Sequence, residues 1–179
     1  MPTLISGSTG VNKITDGTIA NADIASNAAI AGSKLVMPTG SVLQVVSASL
    51  QDEASTTSGS FVSSGLTATI TPSSASNKIL VTMSAAFEST SSGNAVATIF
   101  RGTISDTNLG GNLYGYGYHK VGTAGNASAT ELDSPNTTSA QTYTVGIRND
   151  AGGNTNICMG SGTNANTSRS TLTLMEIAG

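Results

Sequence analysis

Charged residues are scarce in this 179-residue chain, in which Asp, Glu, Lys and Arg together make up 9% of the sequence. Typical globular domains contain about 25%. Gly, Ala, Ser, Thr and Asn take their place, so solubility must come from hydroxyl and amide groups. The net charge is −3, whereas a nucleic-acid-binding surface is basic. The composition therefore argues against nucleic acid as a partner.

Features that mark secretion or a membrane are also missing. No apolar run reaches the length of about 18 residues that a transmembrane helix needs, so no membrane insertion is predicted. The first residues, MPTLISGSTG, lack the basic and apolar regions of a signal peptide. The one cysteine, Cys158, cannot form a disulfide within the chain. Such a chain is expected to be made in a host cytoplasm and released within a particle when the cell lyses.

The chain divides into two zones at Pro38-Thr39-Gly40. The first zone shows turn signals but no strand-like alternation, whereas the second contains short alternating segments between loops rich in Ser, Thr, Asn and Gly. We therefore predict an extended N-terminal arm, residues 1–38, followed by an all-β head domain, residues 39–179. The predicted strands of the head are 41–50, 66–72, 78–88, 94–102, 112–119, 141–149, 154–160 and 169–178.

About eight strands in roughly 140 residues are typical of an antiparallel β-sandwich, and we predict a jelly-roll-like one. Several strands are apolar on both faces: Leu80 opposes the Ile79 face, and Leu174 opposes Met175. A lone sandwich buries only one face of each sheet. A strand that is apolar on both faces is either central or covered by a neighbour, which could be another subunit. The core of one subunit is thin, so association is a plausible source of further stability.

The arm carries one large apolar side chain about every five residues over 13–35. This spacing suits neither an amphipathic helix nor a strand. The segment cannot bury these side chains alone, but three copies around an axis could stack them in layers, each Ile contributing about 1.5–3 kcal/mol. We predict a homotrimer; the alternative is an arm that orders by docking onto another protein. The trimer and attachment residues are Ile14, Ile19, Ile24, Ile30 and Leu35.

The words ITDGTI, NADI and AAIAGSKL within the arm resemble a segment common in tail-fibre-like and other virion structural proteins of bacteriophages. ITPSSASNKILV (70–81) and ATIFRG (97–102) resemble sequences in the β-sandwich domains of such proteins. The resemblance implies a homotrimer with an N-terminal anchoring stalk and a C-terminal sandwich head. Typical fibres repeat the stalk motif several times, whereas this chain carries it once. That difference favours a short fibre, a spike tip or a capsid decoration knob.

Groups that could support catalysis or hold a metal are sparse. His119 is the one histidine, no G-x-S-x-G elbow occurs, and the scattered carboxylates give no sign of a glycosidase pair. DTNLGGN (106–112) has oxygen-bearing residues at alternate positions but lacks the final Glu of a calcium loop, so an ordinary turn is predicted. We predict no enzymatic activity, no metal and no cofactor.

LYGYGYH (113–119) is the most suggestive binding feature. If it forms a strand, Tyr114, Tyr116 and Tyr118 share one face, and together with His119 they make a candidate glycan-binding platform. The alternative, which we favour, is that these tyrosines pack inside the sandwich, because the chain has few other large residues. Long polar loops are the other candidates for recognising a cell surface; they are 51–59, 89–94, 122–139 and 160–168.

The sequence thus predicts a non-enzymatic virion structural protein. It would be a short trimeric tail-fibre-like protein, attached to other virion proteins by its arm and displaying a head that could contact a host surface glycan. Symmetry would multiply weak contacts at each head into avidity. The alternatives are a capsid decoration or cement protein, and a carbohydrate-binding module.

Overall fold

The computed structural model describes residues 35–111, 113–158 and 168–179. The described residues contain eleven strands and no helix, which confirms the all-β prediction, and Met37–Gly179 form one compact unit. The strands are β1 (Val42–Leu50), β2 (Ala54–Thr56), β3 (Val62–Ile70), β4 (Lys78–Ser89), β5 (Ala95–Arg101), β6 (Thr107–Asn108), β7 (Gly117–His119), β8 (Thr123–Asp133), β9 (Gln141–Asn149), β10 (Thr155–Ile157) and β11 (Ser170–Ile177).

The strands form two antiparallel sheets. In the first sheet β1 pairs with β11, β11 with β4, and β4 with β8, while the short strands β2 and β10 continue β1 and β11. In the second sheet β3 pairs with β9 and β9 with β5, and both β6 and β7 pair with the far edge of β5. Counting β1 with β2, β6 with β7, and β10 with β11 as single strands leaves eight strands, numbered 1 to 8 along the chain. The spatial orders of these eight strands are 1-8-3-6 in the first sheet and 2-7-4-5 in the second. These are the strand orders of a jelly roll.

The core lies between the two sheets and follows the alternation of the strands. Every second residue of β4 faces inward, as predicted, and β9 and β11 contribute in the same way. Tyr143, Phe87 and Leu174 are fully buried there. On β1, Val46 and Leu50 pack against the core as partly buried residues. Inward and outward positions therefore alternate as expected for a sandwich.

Strand β8 corrects the prediction of a long polar loop at 122–139. Thr123–Asp133 is an eleven-residue strand that pairs with β4 along almost its whole length. Its inward residues, Ala127 and Ala129, lie opposite Ala85 and Met83 of β4. Because the inward side chains are small, the strand shows little hydrophobic alternation, and pairing with β4 stabilises it instead.

The pairing register gives the head two distinct ends. The chain enters at Met37, and the backbone there pairs with the last strand, since Gly40 N donates to Ala178 O at 2.8 Å and Ala178 N to Ser41 O at 2.9 Å. We call this the entry end; it also carries the connections 71–77, 102–106 and 134–140. The opposite end carries the connections 57–61, 90–94, 120–122 and 150–154, which we call the distal loops.

The chain itself covers part of the outer face of the second sheet. Phe100 of β5 points outward but is only 3% exposed, because the ring of Phe61 packs edge-on against it at 5.5 Å between centroids. Gly146 of β9 makes room for these rings, since a Cβ there would lie 2.6 Å from the Phe100 ring. The apolar residues on both faces of β5 are therefore accounted for within one subunit.

Candidate functional site

The distal loops are joined to one another by backbone hydrogen bonds. Asn149 N donates to Ser58 O at 2.9 Å, and Thr90 N donates to Asn154 O at 3.0 Å. Asp150 N donates to Asn94 O at 3.1 Å. These bonds link connections that are far apart in sequence, so the distal loops form one surface with a fixed backbone.

Asn149 lies at the centre of this surface and is fully buried. Its Oδ1 accepts hydrogen bonds from Gly153 N at 2.8 Å and Ala151 N at 3.1 Å. Its Nδ2 donates to Ser89 Oγ and Thr155 Oγ1, both at 3.4 Å. One side chain thus holds the 150–154 turn against the ends of β4 and β10.

A second contact closes the distal end through a carboxylate. Asp150 accepts hydrogen bonds from Asn94 Nδ2 and Asn94 N, both at 2.7 Å. The side-chain bond from Asn94 is the main reason that the pKa of Asp150 lies below its usual value. At neutral pH the carboxylate is therefore ionised and engaged, and it stabilises the turn.

An exposed aromatic pair lies on the outer face of the second sheet, close to the distal end. Tyr114 and Tyr118 are 57% and 42% exposed, and their rings meet edge-on at 5.2 Å between centroids. Tyr118 lies opposite Val96 of β5, which is fully buried. Leu113 next to the pair is also exposed. We call Leu113, Tyr114 and Tyr118 the aromatic patch.

Tyr116 is separated from the other two tyrosines. Residues 113–116 are not a strand, and Gly115 has a φ of +54°, which turns the chain. Tyr116 packs against the core, and its hydroxyl donates to Glu131 Oε2 at 2.8 Å. Burial, followed by the Glu131 carboxylate, raises the pKa of the Tyr116 hydroxyl. The predicted three-tyrosine strand face is thus wrong in its geometry, while two tyrosines do come together.

His119 of β7 points between the sheets, away from the aromatic patch. Its ring packs edge-on against Phe87 at 4.7 Å between centroids. A Cβ at Gly125 would lie 2.2 Å from the His119 ring, and one at Gly117 would lie 2.4 Å from Ala127 Cβ. The Tyr–Gly alternation therefore lets β7 approach β8, which is a packing requirement that sequence alone could not separate from a ligand platform.

The inward carboxylate Asp133, at the end of β8, connects the two sheets. It forms an ion pair with Arg101 of β5 at 2.9 Å and accepts a hydrogen bond from the Tyr143 hydroxyl at 2.7 Å. Burial, followed by the contact with Asp133, raises the pKa of the Tyr143 hydroxyl. These groups are engaged with one another at the entry end, and they act as structural supports.

A groove of about 760 Å³ opens on the outer face of the second sheet, between β3, β9 and the 102–106 connection. Hydroxyl groups dominate its lining, including those of Thr67, Thr142 and Thr144. Asp106 also lines it and accepts hydrogen bonds from Thr103 N at 2.7 Å and Thr103 Oγ1 at 2.8 Å. Thr103 is the main reason that the pKa of Asp106 lies below its usual value. These bonds lie in the 103–106 turn, which precedes the segment 106–112 predicted as an ordinary turn, and Thr107 and Asn108 of that segment form β6.

Four of the five predicted attachment residues, Ile14, Ile19, Ile24 and Ile30, lie outside the described residues. The fifth, Leu35, is 51% exposed. Within the described residues, no group of three or more His, Cys, Asp and Glu side chains could hold a metal ion. Among those same residues, no helix is long and apolar enough to cross a membrane.

No family model and no curated protein matches this chain. Among solved structures, a protein of Bacillus endospore appendages, described as disulfide-linked pili, is similar over 81% of this chain and 97% of its own, with 13% identity and a TM-score of 0.33. The VP2 protein of infectious bursal disease virus is similar over 84% of this chain, with 15% identity and a TM-score of 0.41. This chain spans 40% of that VP2 chain.

Proposed function

We propose that this chain is a non-enzymatic structural protein of a bacteriophage particle. It acts as a short, trimeric, tail-fibre-like protein that attaches through residues 1–38 and presents the jelly-roll head. The observation that carries the proposal is the division of the head into two ends. The chain enters at one end, and the hydrogen-bonded distal loops lie at the other. An anchored arm would therefore turn the distal loops away from the particle.

The sequence of the arm supports assembly with other copies. Its large apolar residues are too few and too widely spaced to form a core within one chain. Three copies around one axis bury each isoleucine against its equivalents, and closed symmetry is the rule for homo-oligomers. Other virion proteins bind the assembled arms, and the location of the protein is the virion.

The distal loops and the aromatic patch support a binding role for the head. Loops carried on a rigid scaffold are the usual place for recognition, and here the hydrogen bonds of Asn149 and Asp150 hold the loops. A trimer presents three identical surfaces on one side. Weak contacts at each head then add up through effective concentration.

The test is the association state of the full chain, measured by sedimentation equilibrium. We expect a trimer, and we expect Ile19→Asp to dissociate it without loss of the β-type circular dichroism. The matched control is Thr18→Asp, which adds the same charge one residue away from a proposed apolar layer. A monomeric full chain, or equal effects of the two substitutions, would contradict the proposal.

The place of the protein on the particle distinguishes the fibre from its alternative. A capsid decoration or cement protein has the same need for an anchoring arm and an outward head. Gold-labelled antibodies against the head, imaged on intact particles, should mark the tail if the protein is a fibre. Label distributed over the capsid would show that the protein is a capsid decoration protein and not a fibre.

The aromatic patch favours carbohydrate binding as a second candidate function. Tyr114 and Tyr118 expose ring surface beside hydroxyl groups, which suits stacking on a sugar ring. Glycan-array binding by the full chain should fall about tenfold or more in Tyr118→Ala. Tyr116→Phe is the control, since its hydroxyl contacts Glu131 and not the patch. Equal binding by wild type and Tyr118→Ala would remove this candidate.

A further inference from the structure

The outer face of the first sheet carries an apolar row that crosses all four strands in register. Val45 of β1 lies opposite Met175 of β11, Met175 opposite Leu80 of β4, and Leu80 opposite Leu132 of β8. All four side chains point away from the core, because their neighbours along each strand point inward. We call these four residues the apolar row.

Two rows of small hydroxyl residues follow the apolar row toward the distal end. One row joins Ser47, Thr173, Thr82 and Thr130, and the next joins Ser49, Thr171, Ser84 and Ser128. The charges nearest to the apolar row on this face are Lys78, two residues before Leu80 on β4, and Arg169 and Glu88, which lie beyond the hydroxyl rows toward the distal end. The centre of the face is therefore flat and uncharged.

The described part of the chain leaves the apolar row open. Val45 is 55% exposed and Leu132 is 46% exposed at the two ends of the row, and Met175 and Leu80 between them are partly exposed. On the second sheet, by contrast, Phe61 covers the equivalent outward residue Phe100. Neighbouring large apolar side chains on one flat face are typical of an interaction surface.

We propose that the apolar row is the contact between heads, and that its occupant is the same row of a second and a third copy of this chain. This inference rests on the proposed trimer. Identical copies carry identical charges, so rows without charge can meet their equivalents without repulsion. Copies joined at their entry ends hold their apolar rows at the same position along the trimer axis. Three rows then close a triangle around the axis, in which Val45 of one copy meets Leu132 of the next.

The size of the face explains why this contact needs the arm. Four strands span about 14 Å and three rows about 14 Å, because strands lie about 4.8 Å apart and alternate residues about 6.8 Å apart. Each copy thus offers on the order of 200–300 Å², well below the roughly 800 Å² per partner of a stable interface. The heads pair only at the high effective concentration that joined arms provide.

Cross-linking of the full chain tests this contact. In the double variant Val45→Cys/Leu132→Cys, a short bis-maleimide should produce covalent trimers on a denaturing gel. The control is Leu113→Cys/Val121→Cys, in which both positions are similarly exposed but lie away from the apolar row. The native Cys158 is buried, and the wild-type chain reports any reaction there.

The outcomes separate this inference from the proposed function. If the double variant is a trimer in sedimentation but cross-links no better than the control, the head contact is wrong and the trimeric arm still stands. A monomeric full chain overturns both. A charge at the row gives an independent measurement: Val45→Glu should raise the concentration for half-dissociation of the trimer about tenfold or more, because like charges would meet at the axis. Val121→Glu should leave that concentration unchanged, and equal values for the two variants count against the row.

Discussion

Glu176 is the one fully buried charged residue in the described part of the chain, with 1% of the residue exposed. It accepts hydrogen bonds from Asn77 Nδ2 at 2.5 Å, from Gln44 Nε2 at 2.6 Å, and from Ser73 N and Oγ at 2.6 and 2.8 Å. Burial alone would raise the pKa of Glu176, but these bonds outweigh it and hold the pKa below its usual value. The carboxylate thereby ties β1, the 71–77 connection and β11 together at the entry end.

Glu176→Gln should lower the free energy of unfolding by about 2 kcal/mol at pH 7, because an uncharged amide replaces the acceptor of several charge-assisted bonds. Chemical denaturation measures this difference. Because the folded pKa is depressed, the stabilisation is present above the unfolded pKa of about 4.3 and is lost as the pH falls through the folded pKa. The gap between wild type and variant should therefore close in acid. Glu88→Gln on the outer face should show little of either effect.

Single residues also mark where sequence reasoning about the site reached its limit. The repeated tyrosines could be read as a strand face, but the turn at Gly115 depends on its φ of +54°, which glycine permits without requiring. Tyr116 donates a hydrogen bond to Glu131 only because β7 and β8 approach each other across the edge of the sandwich. That contact joins two segments by tertiary packing, and no local pattern encodes it.

At the scale of elements, strands with strong alternation were predictable and strands with small side chains were not. β1, β4, β9 and β11 lie within about two residues of the predicted segments because branched or aromatic residues mark their inward faces. β8 has alanine at those positions, and the sequence pattern there predicts a loop. β8 forms because it pairs with β4. That pairing depends on residues far away in the sequence, so the local pattern of β8 does not predict it.

The distal connections are also a matter of elements, because Asn149 holds the turn between β9 and β10. Asn149→Ala should lower the free energy of unfolding by about 2 kcal/mol, since Gly153 N and Ala151 N lose a buried acceptor. Amide hydrogen exchange should quicken at 150–154 more than in the strands. Asn126→Ala on the exposed face of β8 is the control. Unchanged exchange at 150–154 would show that the turn does not depend on this side chain.

At the scale of the whole molecule, the Arg101–Asp133 ion pair bridges the edge where the two sheets part. Arg101→Met should lower the free energy of unfolding by about 1–3 kcal/mol, because the partly buried Asp133 loses its counter-charge. The loss should be smaller in high salt, which already weakens the pair. Arg169→Met, an exposed arginine that contacts Gln51, should be close to neutral. Equal losses for both variants would assign the effect to general charge and not to the bridge.

The hydrogen bonds between Gly40, Ser41 and Ala178 place the final strand beside the point where the chain enters the head. Under the proposed anchoring by the arm, a peptide fused after Gly179 would emerge on the side of the particle and be shielded by its surroundings. A peptide inserted at Val121, which is 49% exposed in the turn between β7 and β8, would emerge at the far tip. Epitope display on this scaffold should therefore use an internal insertion and leave the carboxyl terminus free.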